Sequence, residues 1–152
     1  MDVEKAFLGS IIKANYLLSE TIIRPEHLQD TRSQNLYKEF IRLHREGKSI
    51  DLLSLSMLPN LESYGGVSYF SFLESNANVE KFESIQELIL EKWKDREKKN
   101  ILVRATNEDW DINKIQKELD NINETKINDY QPLSDLLQEV YEVPWQEKAV
   151  QK

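Results

Sequence analysis

The sequence predicts an all-α protein, in which a compact helical N-terminal body is followed by a long helical hairpin and a C-terminal linker helix. Only four glycines and four prolines interrupt its 152 residues, and these two residue types disfavour helices most strongly. Apolar side chains recur at helical spacing through most segments. Apolar residues make up 39% of the chain and charged residues 31%, a balance that suits elongated helices with solvated faces.

The composition and the helix-breaking residues divide the chain into five segments. A chain of this length is one domain with room for an appended arm. We assign a globular helical body (1–78), a helical hairpin (79–122), a linker (123–131), an amphipathic linker helix (132–143) and a tail (144–152).

The first helix of the body is predicted to begin after Asp2, whose carboxylate can cap it. Gly9 in the middle of this helix costs about 1 kcal/mol relative to alanine, so we expect it to permit the close approach of another helix. A second short helix is expected to carry the apolar residues from Tyr16 to Ile23. The wide apolar face of the first helix consists of Val3, Phe7, Leu8, Ile11 and Ile12.

Local signals mark the later helices of the body. Pro25 suits the first position of a short helical turn. Thr31 and Gln34 have the spacing of a capping box, which predicts the start of a longer helix. Gly47 is expected to end that helix, and Asp51 to cap the next one.

The hairpin is predicted to begin at Asn78, an N-cap residue type. A helix of about 28 residues from this point is roughly 40 Å long, which exceeds the span of a small body, and Asp111 can cap a second helix. A solvated helix with a mixed-charge surface is one interpretation, because the run 91–99 is mostly charged. We favour a projecting hairpin that pairs with another chain, since two narrow apolar stripes must cover each other and still leave Trp93 and Trp110 to place.

The linker helix is predicted to start at Pro132 and to present one apolar face. An isolated helix of about 12 residues is marginal in water. The face therefore needs either a partner outside this sequence or the back of the hairpin, and we favour the former because a linker precedes the helix. The face consists of Leu133, Leu136, Leu137, Val140 and Tyr141.

The net charge of −7 argues against binding of the DNA backbone by this chain alone. Residues 1–48 carry about +1 and residues 105–152 carry −6. The acidic end could meet a basic protein surface, and a solubilising face explains the same charge equally well. The absence of cysteine excludes disulfides and thiolate metal sites. No signal peptide or apolar run of membrane-spanning length is recognisable.

We identify no catalytic, cofactor-binding or metal-binding residues. The tripeptide 47–49, Gly-Lys-Ser, matches the tail of a phosphate-binding loop, but Arg42 stands where that motif requires glycine. The tripeptide also closes a predicted helix instead of opening one. The two histidines, His27 and His44, lack a neighbouring carboxylate or thiolate constellation, so burial or exposure is favoured over metal binding.

Six short blocks occur in an order that identifies a family. They are EKAFLGSII (4–12), RPEHL (24–28), LYKEFIRL (36–43), EGKSID (46–51), GGVSY (65–69) and LEKWKDR (90–96). In their order and spacing they resemble the N-terminal domain of DnaB-type replicative DNA helicases, over essentially all 152 residues. The chain departs from the family at 33–35, where a histidine is usual, and the second hairpin helix matches less closely.

The resemblance implies a role in assembly. Such domains pair through their hairpins into dimers and stack as a trimer of dimers, which forms a collar over a hexameric ring of motor domains. The collar receives primase and, in some systems, a helicase loader. ATP and magnesium are expected in the motor domain beyond Lys152, and DNA contact only through this parent protein. We expect a cytoplasmic protein of a bacterial or phage replisome, without a membrane.

The resemblance also suggests roles for two sets of apolar residues. The hairpin or its dimer contact would bury Phe82, Ile89, Trp93, Ile101, Leu102, Ile112, Ile115 and Leu119. The linker helix would dock on the motor domain of a neighbouring subunit through Leu133, Leu136, Leu137, Val140 and Tyr141. A stand-alone module that binds or loads a helicase, without its own motor, fits the same surfaces. An enzyme within these 152 residues is a poor third hypothesis, because no site is recognisable.

Overall fold

The computed structural model describes residues 2–124 and Pro132. This part folds into seven α-helices and three short 3₁₀ turns, and it contains no strand, which confirms the predicted all-α class. The 3₁₀ turns are Pro25–His27, Leu61–Tyr64 and Val79–Lys81. The α-helices are α1 (Val3–Lys13), α2 (Leu17–Glu20), α3 (Thr31–Arg45), α4 (Leu52–Ser56), α5 (Gly66–Ser75), α6 (Phe82–Asn107) and α7 (Ile112–Glu124).

The core of the body is built around α1, which packs against both α5 and α6. A Cβ atom at Gly9 would overlap the carbonyl oxygen of Leu73 in α5. The two helix backbones therefore approach as closely as the sequence predicted, because glycine removes the side chain between them. The largest fully buried side chains of the core include Phe7, Tyr37, Phe40 and Phe70.

Three of the predicted helix caps are confirmed. The carboxylate of Asp2 accepts from the N–H of Glu4 at 2.9 Å. Asp51 accepts from the N–H of Ser54 at 2.8 Å, and Asp111 accepts equally closely from the N–H of Lys114. Each carboxylate satisfies an orphan N–H donor in the first turn of its helix.

The cap predicted at Thr31 is wrong by one residue. Asp30 caps α3, because its carboxylate accepts from the N–H of Ser33 at 3.0 Å. Gln34 instead turns its amide outward from the helix and donates to the carbonyl oxygen of Leu28 at 2.6 Å. A hydrogen bond to a residue six positions earlier therefore uses the glutamine side chain that a capping box would need.

Asn78 does not act as a side-chain cap either. Its backbone N–H donates to the hydroxyl of Ser10 in α1 at 2.9 Å, and a 3₁₀ turn precedes α6. The chain enters the long helix through a contact with the body instead of through a local cap.

The second helix is shorter than the sequence predicted, since α2 ends at Glu20. The next residues have extended backbone at Thr21, and their N–H groups donate to side chains instead of to a helix. The N–H of Ile22 donates to Gln86 Oε1 at 3.1 Å, and that of Ile23 donates to the hydroxyl of Thr21 at 3.2 Å. A buried polar contact with α6 therefore ends this helix.

The linker-helix residues from Leu133 to Tyr141 lie outside the described part of the chain, so the linker helix stays a prediction. No helix within residues 2–124 is both long enough and apolar enough to cross a membrane.

Candidate protein-docking surface

The first half of α6 belongs to the body. Phe82 and Ile89 are 5% and 1% exposed, and both lie in the core cluster of the body together with Ile85 and Leu90. The ring of Phe82 stacks on that of Phe7 with centroids 5.3 Å apart. The prediction that Phe82 and Ile89 bury at the hairpin is therefore corrected: α6 crosses the body before it reaches the hairpin.

A buried amide positions this first half of α6. Gln86 is 9% exposed, and its Oε1 accepts from the hydroxyl of Thr21 at 2.6 Å and from the N–H of Ile22. The Tyr37 hydroxyl donates to the carbonyl oxygen of Ile23, the residue after Ile22, at 2.6 Å. Because buried polar groups are costly when unpaired, this network specifies how α6 sits on the segment that follows α2.

Trp93 and Arg96 lie where α6 leaves the body. The indole of Trp93 meets the imidazole of His27 edge to face, with centroids 4.9 Å apart. Arg96 Nη2 donates to the carbonyl oxygen of His27 at 2.7 Å. Trp93 is half-buried, with its ring against this turn of the body; its predicted place at the hairpin or its dimer contact stays a prediction.

The imidazole of His27 is held in its neutral form. Its Nδ1 accepts from the N–H of Arg24 at 3.0 Å, which requires an unprotonated nitrogen at that position. Burial, and then the positive charges of Arg24 and Arg96, lower the pKa of His27 to about 4. The histidine therefore serves as a buried packing and acceptor group.

The hairpin consists of the second half of α6 packed against α7. Ile101 is 3% exposed, and Ala105 lies one turn further on and is also buried. Ile115 and Leu119 of α7 are half-buried. Ile101, Ile115 and Leu119 are thus placed on the inner stripe of the hairpin, at the spacing that puts residues on one helix face.

The indole ring of Trp110 contacts both helices at the turn of the hairpin. Asp109 adopts a left-handed backbone with φ of 55°, which ends α6 and redirects the chain. The ammonium of Lys114 lies 4.1 Å from the ring centroid of Trp110, and the guanidinium of Arg104 lies 5.6 Å from it. These cation–π contacts link Trp110 to both helices and account for a tryptophan that the apolar stripes left unplaced.

Three large apolar side chains of the hairpin face solvent. Leu102 is 49% exposed, Val103 is 58% exposed and Ile112 is 79% exposed. We call these three residues the hairpin patch. Leu102 and Ile112 were predicted at the hairpin or its dimer contact, and the structure leaves them outside the contact between α6 and α7. Val103 was missed, although adjacent apolar residues at 102–103 cannot both enter one narrow helical stripe.

In residues 2–124 and Pro132, no group of three or more His, Asp or Glu side chains is arranged to hold a metal ion. His27 and Tyr37 have the most strongly shifted pKa values among the described residues, and both are buried in the body. Burial raises the pKa of the Tyr37 hydroxyl well above its usual value. The exposed apolar residues of the hairpin are a candidate surface for docking a protein.

Comparison with known proteins gives a consistent result. A family model described as "DnaB-like helicase N terminal domain" matches residues 1–91. Among solved structures, 22 chains match. One of them, described as "The Structure Of A DnaB-Like Replicative Helicase And Its Interactions With Primase", superposes with a TM-score of 0.70 at 26% identity over 93% of this chain. This chain spans 35% of the length of that chain. No curated protein sequence matches.

Proposed function

Because this chain belongs to the family of DnaB-like helicase N-terminal domains, we propose that it is the assembly and partner-docking domain of a hexameric replicative DNA helicase. In this proposal ATP and magnesium act in a motor domain of the parent protein, which unwinds DNA during replication. The domain itself supplies self-association and partner binding, in the cytoplasm of a bacterium or within a phage replisome.

The hairpin patch carries the proposal of self-association. The inner stripe of the hairpin already contains Ile101, Ile115 and Leu119, and Leu102, Val103 and Ile112 keep half or more of their surface exposed. Burying apolar surface contributes roughly 25 cal/mol per Å², so covering these three side chains would favour association. A second hairpin, with the same patch, is the partner that a symmetric dimer provides.

Primase is the second partner that we propose. The structural relative is described with its interactions with primase, and its likeness extends over 93% of this chain. A helicase loader is a further candidate for the same collar. The stand-alone module without a motor domain remains the alternative, and it would use the same hairpin patch to reach a helicase.

Sedimentation of the purified protein tests the self-association. We expect the native chain to form dimers or hexamers, and Leu102→Asp combined with Ile112→Asp to weaken association at least tenfold, because charges would have to be buried in the contact. The matched control is Leu53→Asp on α4, since Leu53 is 73% exposed but lies on the body. Helical circular dichroism should stay unchanged in all three proteins.

Two results would contradict the hairpin assignment. One is an association constant that the paired hairpin substitutions leave at the native value. The other is equal weakening by Leu53→Asp, which would move the contact from the hairpin to the body. Binding of primase is measured separately by calorimetry, so a negative result for self-association leaves the primase proposal testable, and the reverse.

The length of the natural polypeptide separates the leading proposal from the stand-alone alternative. A chain that continues beyond Lys152 into a phosphate-binding loop supports the helicase, whereas a stop codon at that point supports an accessory module. In a longer protein, Leu136→Asp with Leu137→Asp should weaken ring formation without unfolding residues 2–124. Unchanged hexamer stability would count against the linker-helix role of Leu133, Leu136, Leu137, Val140 and Tyr141.

A further inference from the structure

A single turn of the body meets α6 at the point where this helix passes into the hairpin. Leu90 is the last residue of α6 in the core cluster of the body. Beyond it, α6 continues to Asn107, a distance of about 25 Å at 1.5 Å per residue. Trp93 and Arg96 both contact His27 in this interval. We call the 3₁₀ turn Pro25–His27 the strap.

The strap is itself tied to α3 on both sides. Before the strap, the hydroxyl of Tyr37 donates to the carbonyl of Ile23 at 2.6 Å. After the strap, the side-chain amide of Gln34 donates to the carbonyl of Leu28, also at 2.6 Å. The strap therefore has a defined position on the body, and its contacts with Trp93 and Arg96 position α6 relative to the body.

We infer that the contacts of Trp93 and Arg96 with the strap set the angle between the hairpin and the body. We call these two contacts the latch, and Trp93 and Arg96 are its positioning residues. The core cluster of the body includes α6 only up to Leu90, and long helices are rarely straight. A tilt of about 10° at the end of the core would move Asn107 by roughly 4 Å, given the 1.5 Å rise per residue. Two contacts one turn of helix apart are well placed to oppose this tilt.

The two contacts differ in kind, and each restrains a different motion. The edge-to-face contact of Trp93 fills space against His27 and resists movement of α6 toward the strap. The hydrogen bond from Arg96 carries a positive charge on its donor and resists movement of α6 away from the strap. Together they hold one orientation of the helix instead of merely limiting its range.

The consequence for assembly rests on the proposed function, whereas the latch does not. If copies pair through the hairpin patch, the angle of α6 determines where each body lies relative to its partner. The latch would then set the geometry of the assembled collar. In a chain that does not associate, the same contacts would still restrain the angle of α6.

Distances between paired spin labels test the latch directly. The sequence contains no cysteine, so Lys38→Cys on α3 and Glu108→Cys at the hairpin turn provide two unique labelling sites. The labelled chain is mixed with an excess of unlabelled chain, so that distances within one chain dominate whether or not copies associate. Sedimentation of the same samples reports association independently.

We expect one narrow distance distribution for the native chain, and a distribution that is broader or shifted by several ångströms in both Trp93→Ala and Arg96→Ala. The matched control is Lys99→Ala, which removes an exposed cation about one turn further along α6. Arg96→Ala removes a part-buried hydrogen bond and no side chain of the core cluster, so it remains informative if Trp93→Ala unfolds the chain. Distributions in Arg96→Ala and in folded Trp93→Ala as narrow and as centred as that of Lys99→Ala would overturn the latch.

Discussion

The body and the hairpin use their apolar residues differently, although α6 runs through both. In the body, Phe7, Tyr37 and Phe40 are fully buried, and the helices around them are mostly short. In the hairpin, Ile101 and Ala105 are buried, α7 has no buried residue among those described, and Ile112 is 79% exposed. The body therefore closes a core within one chain, whereas the hairpin buries few apolar side chains. Both regions leave large apolar side chains exposed, Leu53 and Met57 on the body and Ile112 on the hairpin, and a partner could cover them.

The difference suggests a division of labour. A residue in the body core acts mainly on the free energy of unfolding, because its contacts are made within the chain. An outward residue of the hairpin acts mainly on association, because its contacts depend on a second molecule. The following predictions test this division, beginning with the largest expected effect.

Phe7→Ala should destabilise the protein by about 3–5 kcal/mol. The ring of Phe7 contacts Tyr37 at a centroid distance of 5.2 Å and also stacks on Phe82, so its removal leaves a cavity between α1, α3 and α6. Urea denaturation measures the change. The matched control is Phe72→Ala, which removes a half-exposed ring and should cost less than about 1 kcal/mol. Equal costs at both positions would remove the distinction between core and surface in the body.

Acid should lower the free energy of unfolding by protonating His27, which lies where the turn Pro25–His27 contacts α6. The pKa of His27 is lowered from 6.5 to about 4 in the folded protein, so the unfolded chain binds a proton first. Its stabilising contribution is therefore complete above pH 6.5 and is lost as the pH falls from 6.5 to 4, by about 3 kcal/mol at most. Protonation would place a charge beside Arg24 and Arg96 and remove the acceptor for the Arg24 N–H.

Denaturation at several pH values measures this effect. The protein carrying His27→Asn lacks the titrating group and should lose less stability between pH 6.5 and 4 than the native chain. His44→Asn is the matched control, since it leaves His27 in place, and should follow the native profile. A His27→Asn profile parallel to the native one would contradict the buried, neutral histidine.

Ile112→Ala should have the smallest effect on folding, below about 0.5 kcal/mol, when measured at a concentration where the chain is monomeric. Ile101→Ala, in the same hairpin but 3% exposed, should cost about 2–4 kcal/mol. If Ile112→Ala cost as much as Ile101→Ala in the monomer, Ile112 would belong to the hairpin's own packing and not to a docking surface.

The features that sequence reasoning predicted correctly depend on neighbours along the chain. Asp2, Asp51 and Asp111 cap helices through N–H groups two or three residues away, so their role follows from local spacing. Gly9 was predicted to permit close approach because an unnecessary glycine within a helix is costly. The partner at that point, the carbonyl of Leu73, lies far along the chain and could not be named.

The features that sequence reasoning predicted wrongly depend on distant neighbours. Phe82 and Ile89 share helical spacing with the hairpin residues, so periodicity alone assigned all of them to one contact. The structure divides the helix instead: these two residues enter the core of the body. Gln34 is an exception, because the carbonyl of Leu28 that replaces its expected capping role lies only six residues away.

The sequence by itself determined that this chain is helical, where several of its helices begin and which residues are apolar on each face. These properties arise from backbone propensity, caps and periodicity, which act over a few residues. Only the tertiary structure decided which face meets which partner, so that α6 serves both body and hairpin and leaves Leu102, Val103 and Ile112 exposed. A helical stripe shows which side chains of a helix are apolar. The side chains that cover the stripe come from elsewhere in the chain or from another molecule.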